Sequence, residues 1–176
     1  QDFAKDGTER WTMASKFPLY GPDGNVLLGI STIIDITAQR DAEQRVALLA
    51  EMAEQVADAI ELIDPERRIQ YVNKAYEEMF GYSLEEIKGS FPSILNPDES
   101  GNMEASIRSA ADKGISAEFE LPQKHKDGSI IFTRLRLSPI RNEDGDIVAW
   151  VGIHSDITER RKMEEALVQS EEMFRL

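Results

Sequence analysis

The stretch KDGSIIFTRLRLSPIRNEDGDIVAWVGIHSDIT, residues 126–158, decides the fold, because its punctuation is written a second time upstream. Lys5-Asp6-Gly7 matches Lys126-Asp127-Gly128, Pro18 matches Pro139, Asp23-Gly24 matches Asp144-Gly145, and Asp35-Ile36-Thr37 matches Asp156-Ile157-Thr158. The offset is 121 each time (126 against 5, 139 against 18, 144 against 23, 156 against 35), so no gap is needed. A period of that length is too long for a solenoid unit. It predicts tandem domains, the first represented by its last strands over residues 1–37.

Each copy reads as a hairpin that runs into a helix. Lys126-Asp127-Gly128 and Asp144-Gly145 are turn signals, with glycine free to take positive φ. Between and after them lie β-rich runs, Ser129 to Ile140 and Asp146 to Ile153. After each Asp-Ile-Thr the period becomes helical. Ala42, Val46, Leu49, Ala53, Val56 and Ile60 alternate spacings of four and three, and Met163, Leu167, Ser170 and Phe174 repeat that phase. Two readings fit: an amphipathic helix packed on its own domain, or a parallel two-helix seam between two copies of the chain. Ala42, Ala53 and Ser170 would make such a seam narrow. Strands from Thr8 to Tyr20 and Asn25 to Ile36 lack the rest of a sheet, and are expected to pair with a second chain or to be poorly ordered.

Working outward, Ile60 to Ile63 and Ile69 to Val72 read as short strands around a turn at Asp64-Pro65. Asn73 can cap a helix over Lys74 to Phe80, and Gly81 can end it in the left-handed conformation. Ser83-Leu84-Glu85-Glu86 fits a capping box, with Gly89 closing that short helix. Pro92 to Asn102 reads as loop. Met103, Ile107 and Ala110-Ala111 predict a longer helix ending at Gly114. Three antiparallel strands follow, over Ile115 to Gln123, Ser129 to Ile140 and Asp146 to Ser155. The order predicts an α+β domain: one antiparallel sheet of five strands with helices grouped on one face.

At this point a family resemblance is specific. Asp58-Ala59-Ile60-Glu61-Leu62-Ile63-Asp64, then Ile69-Gln70-Tyr71-Val72-Asn73-Lys74-Ala75, then Phe80-Gly81-Tyr82-Ser83 with Glu85-Glu86, resembles the first half of a PAS domain. Lys126-Asp127-Gly128, Pro139, Asp144-Gly145, Gly152 and Asp156-Ile157-Thr158 resemble its second half. The resemblance implies a complete PAS domain over residues 58–158, a helical linker over 38–57, and a C-terminal linker helix over 159–176 leading to a further domain. Ser170 to Leu176 resembles the lead-in to another copy. One departure stands out: Glu66-Arg67-Arg68 occupies the first hairpin turn, where the family usually has glycine. A left-handed residue there would be strained.

PAS domains place small ligands between the longer helix and the inner face of the sheet. Strand alternation points Phe119, Leu121 and Gln123 inward, because Glu118 and Glu120 face away, and points Thr133, Leu135 and Leu137 inward opposite Arg134 and Arg136. The last strand is apolar on both faces, and the resemblance alone assigns Trp150, Gly152 and His154 to the inner one. Gln123, Thr133 and His154 would then orient a planar ligand in an apolar hollow, with flavin the first candidate. A core histidine satisfied by a neighbour is the competing reading. Haem is disfavoured, since Asn102 to Lys113 contains no histidine for an axial bond. His125 sits beside a turn and is expected to be exposed.

Composition narrows the function. With no cysteine, disulfides, thiolate metal sites, cysteine nucleophiles and thiol–flavin adducts are excluded from this chain. Two histidines are too few for a histidine-rich metal site, and no metal is expected. A formal net charge of -13 disfavours nucleic acid and anionic membrane as partners. No apolar run approaches the roughly 18 residues of a membrane span, and a cytoplasmic location is expected. No Ser/His/Asp set, phosphate-cradling glycine loop or metal cluster is written, so catalysis by this segment is not expected. The reading is a sensory module of a multidomain protein that dimerises through its linker helices, with Asp156 and Thr158 relaying sheet movement to the following helix. The resemblance implies a histidine kinase as first choice of output, with a cyclic-dinucleotide enzyme or a transcription regulator as alternatives. A ligand-free dimerisation scaffold is the rival function.

Overall fold

The computed structural model of the chain describes residues 2–3, 9–97 and 101–174. The chain divides into two compact units, Gln1–Met52 and Ala53–Leu176. In the first, β1 (Asp2–Phe3) pairs with β2 (Glu9–Arg10), and β3 (Thr12–Tyr20) pairs antiparallel with β4 (Val26–Asp35) before α1 (Thr37–Gln55). The Lys5-Asp6-Gly7 turn lies outside the described residues. β3 and β4 form a two-stranded sheet with each other, the hairpin each copy was read as, and its two outer edges are those expected to pair with a second chain. Met13, Phe17, Leu28, Ile30, Ile33 and Ile34 are all exposed along it, which leaves apolar side chains uncovered on both faces.

The repeat recurs bond for bond. Ile36 N donates to Trp11 O at 2.8 Å, and Ile157 N donates to Phe132 O at the same distance. Trp11 N donates to Thr37 Oγ1 at 2.9 Å, and Phe132 N to Thr158 Oγ1 at 3.1 Å. Thr37 N donates to Asp35 Oδ1 at 3.0 Å, and Thr158 N to Asp156 Oδ1 at 2.8 Å. Each Asp-Ile-Thr therefore ties the last strand and the helix start back onto the preceding strand. Its aspartate holds the threonine amide and its threonine hydroxyl holds the strand amide, which are the orphan donors such a junction creates.

The second unit contains β5 (Ala59–Ile63), β6 (Ile69–Val72), α2 (Lys74–Phe80), α3 (Leu84–Ile87), a 3-10 turn (Pro92–Leu95), α4 (Gly101–Asp112), β7 (Ala117–Lys124), β8 (Ile130–Arg141), β9 (Ile147–Asp156) and α5 (Thr158–Phe174). The five strands form one antiparallel sheet in the order β6-β5-β9-β8-β7. The α+β architecture is as expected. Helix α2 has the expected caps: Asn73 accepts from Tyr76 N, and Gly81 sits at φ +77. Ser83 N donates to Glu86 Oε2 at 3.0 Å, the backbone half of the expected capping box.

Three boundaries differ from the sequence reading. Pro92–Leu95 forms a 3-10 turn within the expected loop, Pro92 supplying a preset φ at its first position. Helix α4 begins at Gly101, before Met103. Val56 and Ile60 continue the heptad phase in sequence, yet α1 stops at Gln55 and Ile60 lies in β5 opposite Ile153. Strand pairing on both edges of β5 outweighs local periodicity. Asn73, fully buried, fixes the changeover. Its Nδ2 donates to Ala53 O and Asp58 O at 3.0 Å each, while its Oδ1 accepts from Ile60 N at 2.8 Å and Tyr76 N at 3.0 Å.

The first hairpin turn does place a side-chain residue in the left-handed region. Arg67 has φ +67, with its N–H donating to Asp64 O at 2.9 Å. Among the described residues it alone does so without being glycine. The Arg67 guanidinium pairs with Asp112 at the end of α4, joining this turn to the helix over the sheet.

The core lies between the inner sheet face and the short helices. Ala59, Ile69, Val72, Tyr76, Phe80, Ile87 and Leu95 form one cluster, and Ile63, Leu137 and Trp150 a second with Ile107 and Ala111 of α4 against it. The last-strand parity is as assigned: Trp150, Gly152 and His154 are buried, and their neighbours on the opposite face are half-buried.

Candidate functional site

Between α4, the 3-10 turn and the inner sheet face lies a hollow of about 330 Å³. Ile107 and Ala111 of α4 and Leu121, Leu135, Leu137 and Trp150 of the sheet supply its apolar wall. Glu61, Gln123 and His154 supply its polar end, and Arg67, Asn96, Glu104 and Arg108 also line it. Two of those cations are already paired, Arg67 with Asp112 and Arg108 with Glu104 at 2.5 Å.

Six of the nine expected pocket residues line the hollow: Leu121, Gln123, Leu135, Leu137, Trp150 and His154. Phe119, Thr133 and Gly152 do not. Phe119 is only half-buried, near the outer end of β7. Thr133 is fully buried behind Gln123, and Gly152 lies beneath a side chain that sequence reasoning overlooked.

That side chain is Glu61. It points inward between Ala59 and Ile63, is 2 % exposed, and faces Gly152 across the β5–β9 pairing. A Cβ on Gly152 would lie 2.7 Å from Glu61 Oε1 and 2.8 Å from its Cγ, so glycine here makes room for the acid. Alternation gave only half of the signal: Ala59, Glu61 and Ile63 share one parity, but Ile60 and Leu62 make the other face apolar as well, so the inner face was not marked within the strand.

The buried polar groups form a continuous chain. Thr133 Oγ1 donates to Gln123 Oε1 at 2.5 Å, that oxygen lies 2.8 Å from His154 Nδ1, and His154 Nε2 lies 3.2 Å from Glu61 Oε1. Edge-on contacts with Tyr76 and Phe80, at 5.9 and 5.3 Å between ring centroids, fix the imidazole plane. Glu61 Oε2 is left without a hydrogen-bond partner among the described residues, as is the hydroxyl of Tyr76. Burial, and then the neighbouring Glu61 carboxylate, push the Tyr76 phenol well above its ordinary pKa, so it stays protonated.

This arrangement alters the expectation for flavin. Gln123, Thr133 and His154 were assigned to orient a planar ring; of these Thr133 does not line the hollow, and His154 has both ring nitrogens engaged, with Gln123 and with Glu61. Of the polar chain only Thr133 recurs in the first unit, as Thr12, while Asp2, Ser31 and Ile33 stand at the positions of Gln123, Gly152 and His154.

The remaining predicted residues are placed as follows. Asp156 and Thr158 form the strand-to-helix junction, bonded to Thr158 N and Phe132 N respectively. Arg161 adds a contact not anticipated from sequence, its guanidinium 4.4 Å above the Phe132 ring, and Arg40 repeats it 4.2 Å above Trp11. His125 is not openly exposed. Its side chain is 25 % accessible and sits against Gly81, where a Cβ would lie 2.6 Å from its Nε2.

Comparison with known proteins agrees with the geometry. The family described as PAS fold matches residues 53–162, and that described as PAS domain matches residues 3–38. The bacterioopsin transcriptional activator of Halobacterium salinarum is 26% identical over 151 residues, spanning 85% of this chain and 22% of that protein. The blue-light-activated histidine kinase of Rhizobium johnstonii is 35% identical over 108 residues, spanning 61% of this chain and 31% of that protein. The chain thus spans less than a third of either relative. The solved structure of an RNA-binding light-oxygen-voltage receptor superposes with a TM-score of 0.69 at 23% identity, covering 96% of this chain and 45% of that one. With a five-stranded sheet, a helix-roofed hollow and a family match over more than half its length, this chain belongs to the PAS family of sensory domains.

Proposed function

We propose that this chain is the sensing and relay segment of a larger signalling protein, in which occupancy of the hollow shifts the sheet and the Asp156-Ile157-Thr158 junction passes the shift to α5. The observation that carries this reading is the continuity of its parts. The hollow is floored by β8 and β9, the strands that carry Leu135, Leu137, Trp150 and His154. Those strands are the ones locked to the start of α5 through Phe132 and Asp156. A displacement of either strand must therefore change the geometry of the helix start or break a hydrogen bond.

The output is proposed to be a histidine kinase, supported by the likeness to the Rhizobium johnstonii enzyme, and the segment itself to be non-catalytic. The likeness to a transcriptional activator supports a transcription regulator as the second reading. Two copies are proposed to meet along α1 and α5, because Val46, Leu49, Met163 and Leu167 are exposed in the single chain.

The test is a cavity-filling substitution, Ala111→Phe, placed on α4 where it lines the hollow. In the full-length protein it is expected to fix output at one level while the circular-dichroism spectrum stays native. An output that still follows the physiological stimulus would remove the hollow from the sensing pathway.

A further inference from the structure

We infer that the hollow takes a small uncharged compound of one or two rings, with a carbonyl-type oxygen accepting from Gln123 Nε2 and an apolar body lying against Leu135 and Leu137. This assignment rests on the reading of the hollow as a ligand site and names the chemical class of the ligand.

Four buried side chains that carry polar atoms line the hollow: Glu61, Gln123, Trp150 and His154, none more than 5 % exposed. The acid and the imidazole are spent on each other. His154 stands between two acceptors, Glu61 Oε1 at 3.2 Å and Gln123 Oε1 at 2.8 Å, as the ion-pair partner of Glu61. Glu61 Oε2 is enclosed by protein and does not face the hollow. Gln123 meets this chain through its oxygen, which also accepts from Thr133 Oγ1 at 2.5 Å. Its amide nitrogen is thereby turned the other way.

Two polar atoms remain. Among the described residues Gln123 Nε2 and Trp150 Nε1 have no hydrogen-bond partner, and neither is sealed off as Glu61 Oε2 and the Tyr76 hydroxyl are. Both are N–H donors, and an indole nitrogen can be nothing else. A buried donor without an acceptor is costly, so a ligand that brings an oxygen to it gains what the empty site forgoes. A head that offers only N–H groups would meet donors.

No countercharge is on offer. At the mouth Arg67 pairs with Asp112 and Arg108 with Glu104, and at the deep end Glu61 pairs with His154. An ionised head would be desolvated with nothing to compensate it, so the acceptor is neutral. The walls, with Ile107, Ala111, Leu135 and Leu137 among them, are apolar and suit a hydrocarbon body. A dry cavity of about 150 Å³ holds benzene; at about 330 Å³ the hollow has room for a ring bearing a carbonyl group, or for two fused rings. The first unit has Asp2 and Gly29 at the positions of Gln123 and Trp150, and is not expected to bind the same compound.

Three probes of nearly one shape decide the matter: acetophenone, ethylbenzene and benzoate, titrated into the purified chain and followed by amide chemical shifts, side-chain amides included. Acetophenone is expected to move the Gln123 side-chain amide protons downfield together with the backbone signals of Leu135 and Leu137. Ethylbenzene should move the backbone signals alone, and benzoate should move neither. Gln123→Glu keeps an oxygen for Thr133 and His154 and removes the N–H group. It should weaken acetophenone by roughly three- to tenfold, the worth of one hydrogen bond, and leave ethylbenzene nearly as before. The wild-type side-chain signal decides the seat even where that variant fails to fold. Acetophenone binding that leaves the Gln123 amide protons in place, or an equal loss of both neutral probes in Gln123→Glu, would overturn the seat. Benzoate binding as tightly as acetophenone would overturn the neutral class, and no binding of acetophenone would overturn the inference outright. The Ala111→Phe experiment on the full-length protein judges the sensory reading separately, since it needs no knowledge of the ligand.

Discussion

Glu61 and Gly152 are register partners across β5 and β9, and the missing side chain of one is the space occupied by the other. The first prediction follows from this pairing. Gly152→Ala would bring a methyl group within 2.7 Å of Glu61 Oε1, so the acid must swing away from His154. Overpacking of this kind costs about 1–3 kcal/mol, and urea denaturation of the variant should show a loss in that range. A variant as stable as wild type would mean that the carboxylate is not held where it stands.

Arg67 tests a strain argument. Its φ of +67 belongs to the region where a side chain costs about 1–2 kcal/mol. Arg67→Ala keeps that strain and loses the Asp112 pair. Arg67→Gly loses the pair and relieves the strain, against some added chain entropy. The glycine variant should therefore be the more stable of the two by roughly 1 kcal/mol, read from their denaturation midpoints. Equal midpoints would show that the turn relaxes without a glycine.

Tyr71 supplies a pH dependence. Burial, and then its hydrogen bond to Glu54, push its phenol up from 10.0 to about 12. The folded state thus favours the protonated form more strongly than the unfolded state does. Its contribution is complete below pH 10 and is lost as the pH rises through about 12. In Tyr71→Phe this part of the alkaline decline should disappear, and stability should fall less between pH 10 and 12 than in wild type. Parallel stability–pH curves for the two proteins would count against the Glu54 bond.

The fold and the hollow are unevenly legible in the sequence. Asn73, Gly81 and the Asp-Ile-Thr junctions were readable because each makes a local cap, Asn73 to Tyr76 N and Asp156 to Thr158 N, although the longer bonds of Asn73 and Thr158 had no local signal. The inner parity of β7 and β8 was readable because charged residues mark the opposite face. Glu61 was missed for the converse reason: as a charged residue between apolar ones it reads as outward, and only its pairing with Gly152, 91 positions later (152 against 61), shows where it can fit. The linker helix was expected to run to residue 57, two past the end of α1 at Gln55, because heptad phase carries on through Val56, while Ile60 to Ile63 was read as the strand it forms. The stacking of Arg40 and Arg161 was written in the repeat, at the offset of 121 (161 against 40), but has no short-range signature.

The junction itself can be divided into stability and relay. Asp156→Ala removes the acceptor for Thr158 N and should cost about 1 kcal/mol, the usual worth of such a cap. Arg161→Ala removes a ring contact worth about 0.5–1 kcal/mol. Both variants should remain folded. If the junction relays, Asp156→Ala should also uncouple output from stimulus in the full-length protein, whereas Arg161→Ala should weaken the coupling without abolishing it. Native output from Asp156→Ala would reduce the motif to a helix cap.

The last prediction concerns the helices. Val46 and Leu49 of α1 and Met163 and Leu167 of α5 are each more than 60% exposed, at 67, 65, 69 and 61%. Leaving four large apolar side chains in water is unfavourable by about 1.5–3 kcal/mol apiece relative to full burial. Neither helix buries these side chains in the single chain, which favours a seam between two copies over packing on its own domain. The seam positions recur at the offset of 121, Val46 with Leu167 and Ala42 with Met163 (167 against 46, 163 against 42), so both helices should contribute in one phase. Sedimentation velocity should find a dimer that Val46→Glu with Leu49→Glu shifts toward monomer, and Met163→Glu with Leu167→Glu likewise. A wild-type chain that sediments as a monomer at high concentration would refute the seam. Dissociation by the first pair alone would place it on α1 and leave α5 free for the output domain.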